Sequence, residues 1–139
     1  MPSISIHECP MKRPTTILLL CAGVACVSPT APDANGRWGS GEANVELSTA
    51  GGTLTLQCGT GLIDPAWSLS KDGDFSATGT TFAGGGPDPV GGRPPRPSRF
   101  TGRITGDTFV LSVVVIATNT TLGPFRMQRG GPAVTLFCL

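Results

Sequence analysis

The stretch RFTGRITGDTFVLSVVVIAT, Arg99–Thr118, has the pattern of a β-hairpin. In its first half Phe100 and Ile104 alternate with polar residues, which is the period of two of a half-buried strand. The ITGDT that follows is a turn signal. The second half, Thr108–Thr118, is apolar on both faces, so we expect a strand that is covered on both sides or lies centrally in a sheet. An outward-facing apolar surface for a partner is the alternative.

The same alternation extends over the chain on both sides of this hairpin. It occurs in ANVELST, GTLTLQC, AWSLS, DFSATGT, LGPFRMQRG and PAVTLFCL, with the turn signals TAGGT, SKDGD and QRGGP between them. These patterns predict an all-β chain of about seven to nine short strands without a helix. Sequential hairpins favour a small antiparallel meander that closes as a β-barrel, and a β-sandwich is the alternative.

The composition agrees with an all-β fold and argues against a nucleic-acid partner. The 139 residues include 20 Gly and 13 Pro, and 14% of them are charged, which suits short strands and many turns. The net charge of +1 lacks the basic excess of a nucleic-acid-binding domain, so we expect no nucleic-acid partner.

The amino terminus has the layout of a secretory signal peptide. Lys12 and Arg13 precede the apolar run Ile17–Val27, and small polar residues follow. The run is shorter than the roughly 20 residues that span a bilayer, and a buried helix is the structural alternative. We expect residues 1–25 to be removed. Because Met11 stands directly before the basic pair, we expect translation to start there, with residues 1–10 an upstream extension.

The end of that run resembles a bacterial lipobox. Gly23-Val24-Ala25-Cys26 has small residues before a cysteine, although Gly23 stands where Leu is usual. The resemblance implies lipid attachment at Cys26, a membrane anchor and a place in the cell envelope, with residues 26–36 as a flexible, lipid-anchored tether. The alternative is a secreted or soluble periplasmic protein.

Five cysteines divide between the amino terminus and the predicted domain. We expect removal of the signal to discard Cys9 and Cys21, and Cys26 to take the lipid. Cys58 and Cys138 remain, on the apolar parity of their predicted strands, and an exported protein meets an oxidising compartment, so we expect a disulfide between them. Two free thiols or a metal site are the alternatives. A metal is disfavoured because no His follows the signal and no CxxC occurs.

A long loop interrupts the alternation at Ala83–Ser98, AGGGPDPVGGRPPRPS. It has no apolar face, and Arg93, Arg96 and Arg99 are interleaved with or follow its prolines. The arginines could form a polyproline II docking segment or contact an anionic surface. The other interpretation is a flexible loop that its arginines keep soluble.

Nothing in the domain indicates catalysis. Its lack of His excludes a Ser-His-Asp arrangement within the chain. Asp72, Asp74 and Asp107 stand in turns, where Asp is common for backbone reasons, and Glu42 and Glu46 fall on the polar parity. We therefore predict a protein that is not an enzyme and uses no cofactor or metal.

Two resemblances follow from these residues. Trp38-Gly39, Cys58, the segment Arg99–Thr108 and Cys138-Leu139 together resemble a family of small bacterial lipoproteins or exported proteins without an assigned activity, over most of residues 37–139. Gly36-Arg37-Trp38 is also similar to the Gly-x-Trp that opens lipocalin-like barrels of the calycin superfamily. The second resemblance implies that an arginine near the end of the last strand, Arg126 or Arg129, packs over the tryptophan.

Two functions follow for the barrel domain, residues 37–139, which we expect to be a monomer. The first is a non-catalytic binding or interaction module of the envelope, in contact with a protein or surface through its loops. The second is a carrier of a small apolar ligand inside the barrel. A barrel of this size can be filled by its own side chains. The residues that would line the ligand or form the core are Trp38, Leu54, Trp67, Phe100 and Phe109.

Overall fold

The computed structural model describes residues 32–135 and Cys138. The predicted signal peptide 1–25, the start at Met11, the lipid attachment site Cys26 and most of the predicted tether lie outside the described residues. These therefore stay predictions.

The described residues form nine β-strands and no helix, as predicted. No helix among them is long and apolar enough to cross a membrane. The strands are β1 (Gly36–Gly39), β2 (Ala43–Ser48), β3 (Gly51–Leu56), β4 (Gly59–Ile63), β5 (Ser68–Leu69), β6 (Asp74–Ala83), β7 (Arg96–Thr105), β8 (Thr108–Val115) and β9 (Thr120–Arg129).

Eight of these strands close into an antiparallel barrel. Neighbours along the chain pair in turn, except that β4 passes over the two-residue β5 and pairs with β6, from Gly59↔Ala83 to Ile63↔Gly79. The first strand then pairs with the last, which closes the ring. Strand β5 is an extra strand that pairs with the start of β6. The predicted β-barrel is therefore confirmed, and the alternative of a β-sandwich is not. Closure of the ring leaves few strand edges with unpaired backbone groups.

The β7–β8 hairpin forms a long regular part of the wall. Its register runs from Ser98↔Val115 to Thr105↔Thr108, and Gly106 provides the positive φ that the tight turn requires. Alternate residues of β8 point into the barrel and are buried, whereas Val110 and Val114 on the outer face are only half-buried. The strand is thus central in the sheet, as expected, but its outer face is not fully covered.

Inward-facing side chains fill the middle and one end of the barrel. Trp38, Phe100 and Phe109 are completely buried. Aromatic rings stack edge to face, with 5.4 Å between the centroids of Trp38 and Phe109 and 5.2 Å between those of Phe75 and Phe109. The interior is therefore a packed aromatic core at this level.

Arg129 closes the aromatic end of the barrel, which we call the closed end. Its guanidinium carbon lies 4.2 Å from the ring centroid of Trp38, so Arg129, and not Arg126, takes the position over the tryptophan. The same guanidinium donates to the carbonyls of Asp33 at 2.7 Å and Asn35 at 3.1 Å. Ala34 between them is fully buried. The last residues of the predicted tether 26–36 consequently pack against the barrel.

The carboxyl-terminal segment differs from the prediction. No strand follows β9 among the described residues, although Val134 is buried and its amide donates to the Asn44 side chain at 3.1 Å. Cys58 and Cys138 form a disulfide with 5.1 Å between their Cα atoms, as predicted. Both cysteines are exposed and lie outside strands. Their assignment to the apolar parity was wrong, because the chain turns directly after β3 and the alternation ends there.

Candidate functional site

The end of the barrel opposite the closed end opens into a concave site, which we call the mouth. Its volume is about 350 Å³. It lies where β3 and β6 end and where β4, β7 and β9 begin, so that residues far apart in the chain meet there. The residues that line it are Glu42, Leu56, Gln57, Cys58, Gly59, Thr60, Thr81, Phe82, Ala83, Arg96, Leu122 and Phe125.

The apolar part of the mouth comes from Leu56, Leu122 and Phe125, which are half-buried and pack on the core. A bulge in β9 brings the last two to the same face. Leu122 pairs opposite Val113 and Phe125 opposite Leu111, so that two residues of β9 stand against one of β8. Without the bulge, residues three apart would face opposite sides of the sheet. Leu122 was not predicted as a site residue for this reason, and Gly123-Pro124 is the sequence signal of the bulge.

Two hydroxyl groups lie beneath the mouth. Thr81 and Ser98 are each 1% exposed, and their hydroxyl oxygens are 2.9 Å apart. The Ser98 hydroxyl donates to the carbonyl of Arg96 at 3.0 Å. Because a hydroxyl has one proton, Thr81 is then the donor to Ser98. The pair is internally satisfied and connects the floor of the mouth to the start of β7.

Arg96 supplies the positive charge of the mouth. It lies on the inward parity of β7, directly opposite Thr81, and is half-buried. Its Nε atom is buried without a hydrogen-bond partner. The three ion pairs among the described residues involve Arg93, Arg103 and Arg129, and none involves Arg96. Its guanidinium therefore faces the mouth without a carboxylate partner in the described part of the chain.

The predicted interaction loop is shorter than expected, and Arg93 makes hydrogen bonds within it. Strand β7 begins at Arg96, so the loop spans residues 84–95 and not 83–98. Arg93 braces it from within, donating to the Asp88 carboxylate at 2.8 Å and to the Gly85 carbonyl at 2.7 Å. Val90 stands fully exposed at the tip.

The three arginines that the sequence grouped together have three different positions. Arg93 braces the loop, Arg96 faces the mouth, and Arg99 is exposed on the outer wall. They do not form one basic surface, because Arg96 and Arg99 lie on a strand at odd spacing and point to opposite faces.

The predicted ligand-lining residues form the core and the closed end. Leu54, Phe100, Phe109 and Trp38 are buried in the packed interior. Trp67 is half-buried on the core and its indole donates to the Ser48 carbonyl at 2.8 Å. None of the five lines the mouth.

A larger concavity, about 770 Å³, lies on the outside of strands β1 to β4. One cross-strand row of the outer face crosses it, with Arg37, Glu46, Thr53 and Leu62 as its members. The side chains of this row are exposed, and Leu62 is 50% exposed. This concavity is a wide surface groove without a buried polar group. We therefore prefer the mouth as the candidate site, although the mouth is smaller.

Among the described residues, no group of three or more His, Cys, Asp or Glu residues could hold a metal ion. The fold and site together define a small closed barrel with a packed core and an amphipathic mouth. No protein-family model, curated protein or solved structure matches the chain.

Proposed function

We propose that the protein is an exported, lipid-anchored binding module of the bacterial cell envelope, that it acts without catalysis, and that the mouth is its binding site. One observation carries the proposal. Apolar side chains and the unpaired Arg96 line an open concavity of about 350 Å³, above a core that is otherwise filled. This volume lies within the range of about 300–1,000 Å³ typical of small-molecule sites.

The sequence upstream of the barrel supports export and anchoring. The basic start, the apolar run and Gly23-Val24-Ala25-Cys26 have the order of a lipoprotein signal. Labelling of the host with a palmitate analogue should mark the protein at Cys26, and Cys26→Ser should abolish the label. A labelled Cys26→Ser variant, or an unlabelled wild-type protein, would contradict the anchor.

The residue inventory supports a non-catalytic role. The single histidine of the chain, His7, lies upstream of the predicted signal run, and both cysteines of the barrel are in the disulfide. The barrel therefore offers no imidazole or free thiol as a general base or nucleophile.

The alternative is a carrier that encloses a small apolar ligand within the barrel. It would need space among Trp38, Leu54, Phe100 and Phe109, which are at most 1% exposed and pack on one another. A ligand held at the mouth requires no such space, and we therefore favour the mouth.

Native mass spectrometry tests binding at the mouth. Protein isolated gently from its own host should retain a noncovalent small-molecule mass. Leu122→Gln, which puts an amide into the apolar wall, should reduce the retained fraction. Leu62→Gln is the matched control, because Leu62 lies on the outer face. Absence of any bound mass, or equal retention in both folded variants, would contradict the proposal.

A further inference from the structure

We infer that the ligand of the mouth is a small amphiphile with one carboxylate on an apolar body, and that Arg96 binds the carboxylate. The inference rests on the proposed function and adds the chemical class of the ligand. It is carried by three features of the mouth: an unpaired guanidinium, the local balance of charge, and the apolar wall.

The first feature is the unsatisfied Nε of Arg96. A buried N–H without an acceptor is destabilising, and native structures rarely keep one. A guanidinium presents its donors in a planar fork that matches the two oxygens of a carboxylate. The hydroxyls of Thr81 and Ser98 hydrogen-bond to each other and to the Arg96 carbonyl, and neither accepts from the Arg96 Nε. The carboxylate of a bound ligand would supply acceptors to this guanidinium.

The second feature is the charge balance, which favours a monoanion. Arg96 and Glu42 are the two charged residues that line the mouth. Glu42 is exposed and forms no ion pair with Arg96. Arg93, which borders the adjoining groove, is paired with Asp88. A phosphate monoester carries a charge of about −1.5 to −2 at neutral pH, whereas a carboxylate carries a single charge that one guanidinium can match.

The third feature is the apolar wall of the mouth. Leu56, Leu122 and Phe125 are half-buried at the mouth, so a bound apolar chain would remove further apolar surface from water. A free inorganic anion would leave this surface exposed, and a neutral apolar ligand would leave Arg96 unpaired. An amphiphile satisfies both parts of the site.

Calorimetric titration with decanoate and with decanol, its neutral counterpart, tests the inference. Wild-type protein should bind decanoate at least about tenfold more tightly than decanol, as expected when a charge-assisted hydrogen bond is added. Arg96→Gln should remove this preference while it leaves decanol binding within about twofold, since the glutamine keeps much of the side-chain bulk. The matched control is Arg99→Gln, which removes the same charge from the outer face of the same strand and should leave both affinities unchanged.

A second variant acts in the opposite direction and does not disturb a buried residue. Glu42→Gln removes the rim carboxylate and should tighten decanoate binding by up to about threefold at low salt, because repulsion from an exposed charge is screened. The gain should disappear at high salt.

Three results would overturn the inference. They are no binding of decanoate to the wild-type protein, equal binding of decanoate and decanol, and a decanoate affinity that folded Arg96→Gln retains within twofold. Each leaves the proposed function intact if a host-derived ligand is still lost in Leu122→Gln. The proposed function itself is contradicted only by the native mass spectrometry, if no host-derived ligand is bound or if both folded variants retain it equally.

Discussion

Replacement of Arg129 by Met should loosen the closed end of the barrel. The seam between β1 and β9 has only two residue pairs, Trp38↔Arg129 and Gly39↔Gln128, whereas the β7–β8 register extends over eight. The Arg129 side chain extends this seam by two hydrogen bonds to the carbonyls of Asp33 and Asn35. Methionine retains apolar contact with the Trp38 ring and removes the charge and the hydrogen bonds.

The expected loss follows from these contacts. Hydrogen bonds from a charged donor contribute about 1.5–3 kcal/mol each when buried, and a cation over an aromatic ring about 0.5–2 kcal/mol. Both acceptor residues are exposed and their carbonyls can rehydrate, so we take about 1 kcal/mol for each hydrogen bond and about 0.5 kcal/mol for the cation over the ring. The ion pair with Asp107, which is 82% exposed, adds little. We expect the free energy of unfolding to fall by about 2.5 kcal/mol.

Urea denaturation followed by tryptophan fluorescence measures this loss. Arg126→Met is the matched control, because Arg126 lies three residues earlier on the same strand and is exposed on the outer wall. The control should stay within about 0.5 kcal/mol of wild type, as surface substitutions usually do. The reasoning is refuted if the two variants unfold at the same urea concentration, or if Arg129→Met is as stable as wild type.

Two further substitutions test the covalent and steric parts of the fold. Cys138→Ser removes the disulfide with Cys58, which closes a loop of 80 residues. The chain-entropy relation predicts that the free energy of unfolding falls by up to about 4.5 kcal/mol, with the barrel still folded. Calorimetry measures this change, and an unchanged unfolding temperature would contradict the disulfide. Gly79→Ala places a methyl group against the backbone carbonyl of Leu62 and 2.9 Å from a ring carbon of Phe100, so we expect a loss of about 3 kcal/mol in urea titration. A loss below 1 kcal/mol would show that the strands separate easily there.

The sequence predicted the strands well and the two ends of the barrel poorly. The segment 99–118 forms the expected hairpin because alternation and turn chemistry act over neighbouring residues. The pairing of Cys58 with Cys138 was also predicted, because they are the two cysteines that remain after the signal and Cys26 are set aside. Their exposed positions were not predicted, because the alternation of inward and outward residues holds only within a strand. The predicted carboxyl-terminal strand is not found among the described residues after β9, where the Val134 amide donates to the Asn44 side chain.

The candidate site shows the same division. Arg96 was identified as a residue of interest, but within a flexible loop and together with Arg93 and Arg99. Its inward direction follows from the start of β7, which the prolines before it obscure. Leu122 was missed because the bulge at Gly123-Pro124 shifts the alternation by one residue.

By itself the sequence determined that this chain forms short antiparallel strands, because the period of two and the glycine turns are local properties. It also contained the order of basic, apolar and small residues from which we propose export. Only the tertiary structure decided that β4 pairs with β6, that Arg129 covers Trp38, and that Arg96 meets Leu122 at an open mouth. These contacts join residues distant in the chain, and the closure of the ring, which no local pattern specifies, brings them together.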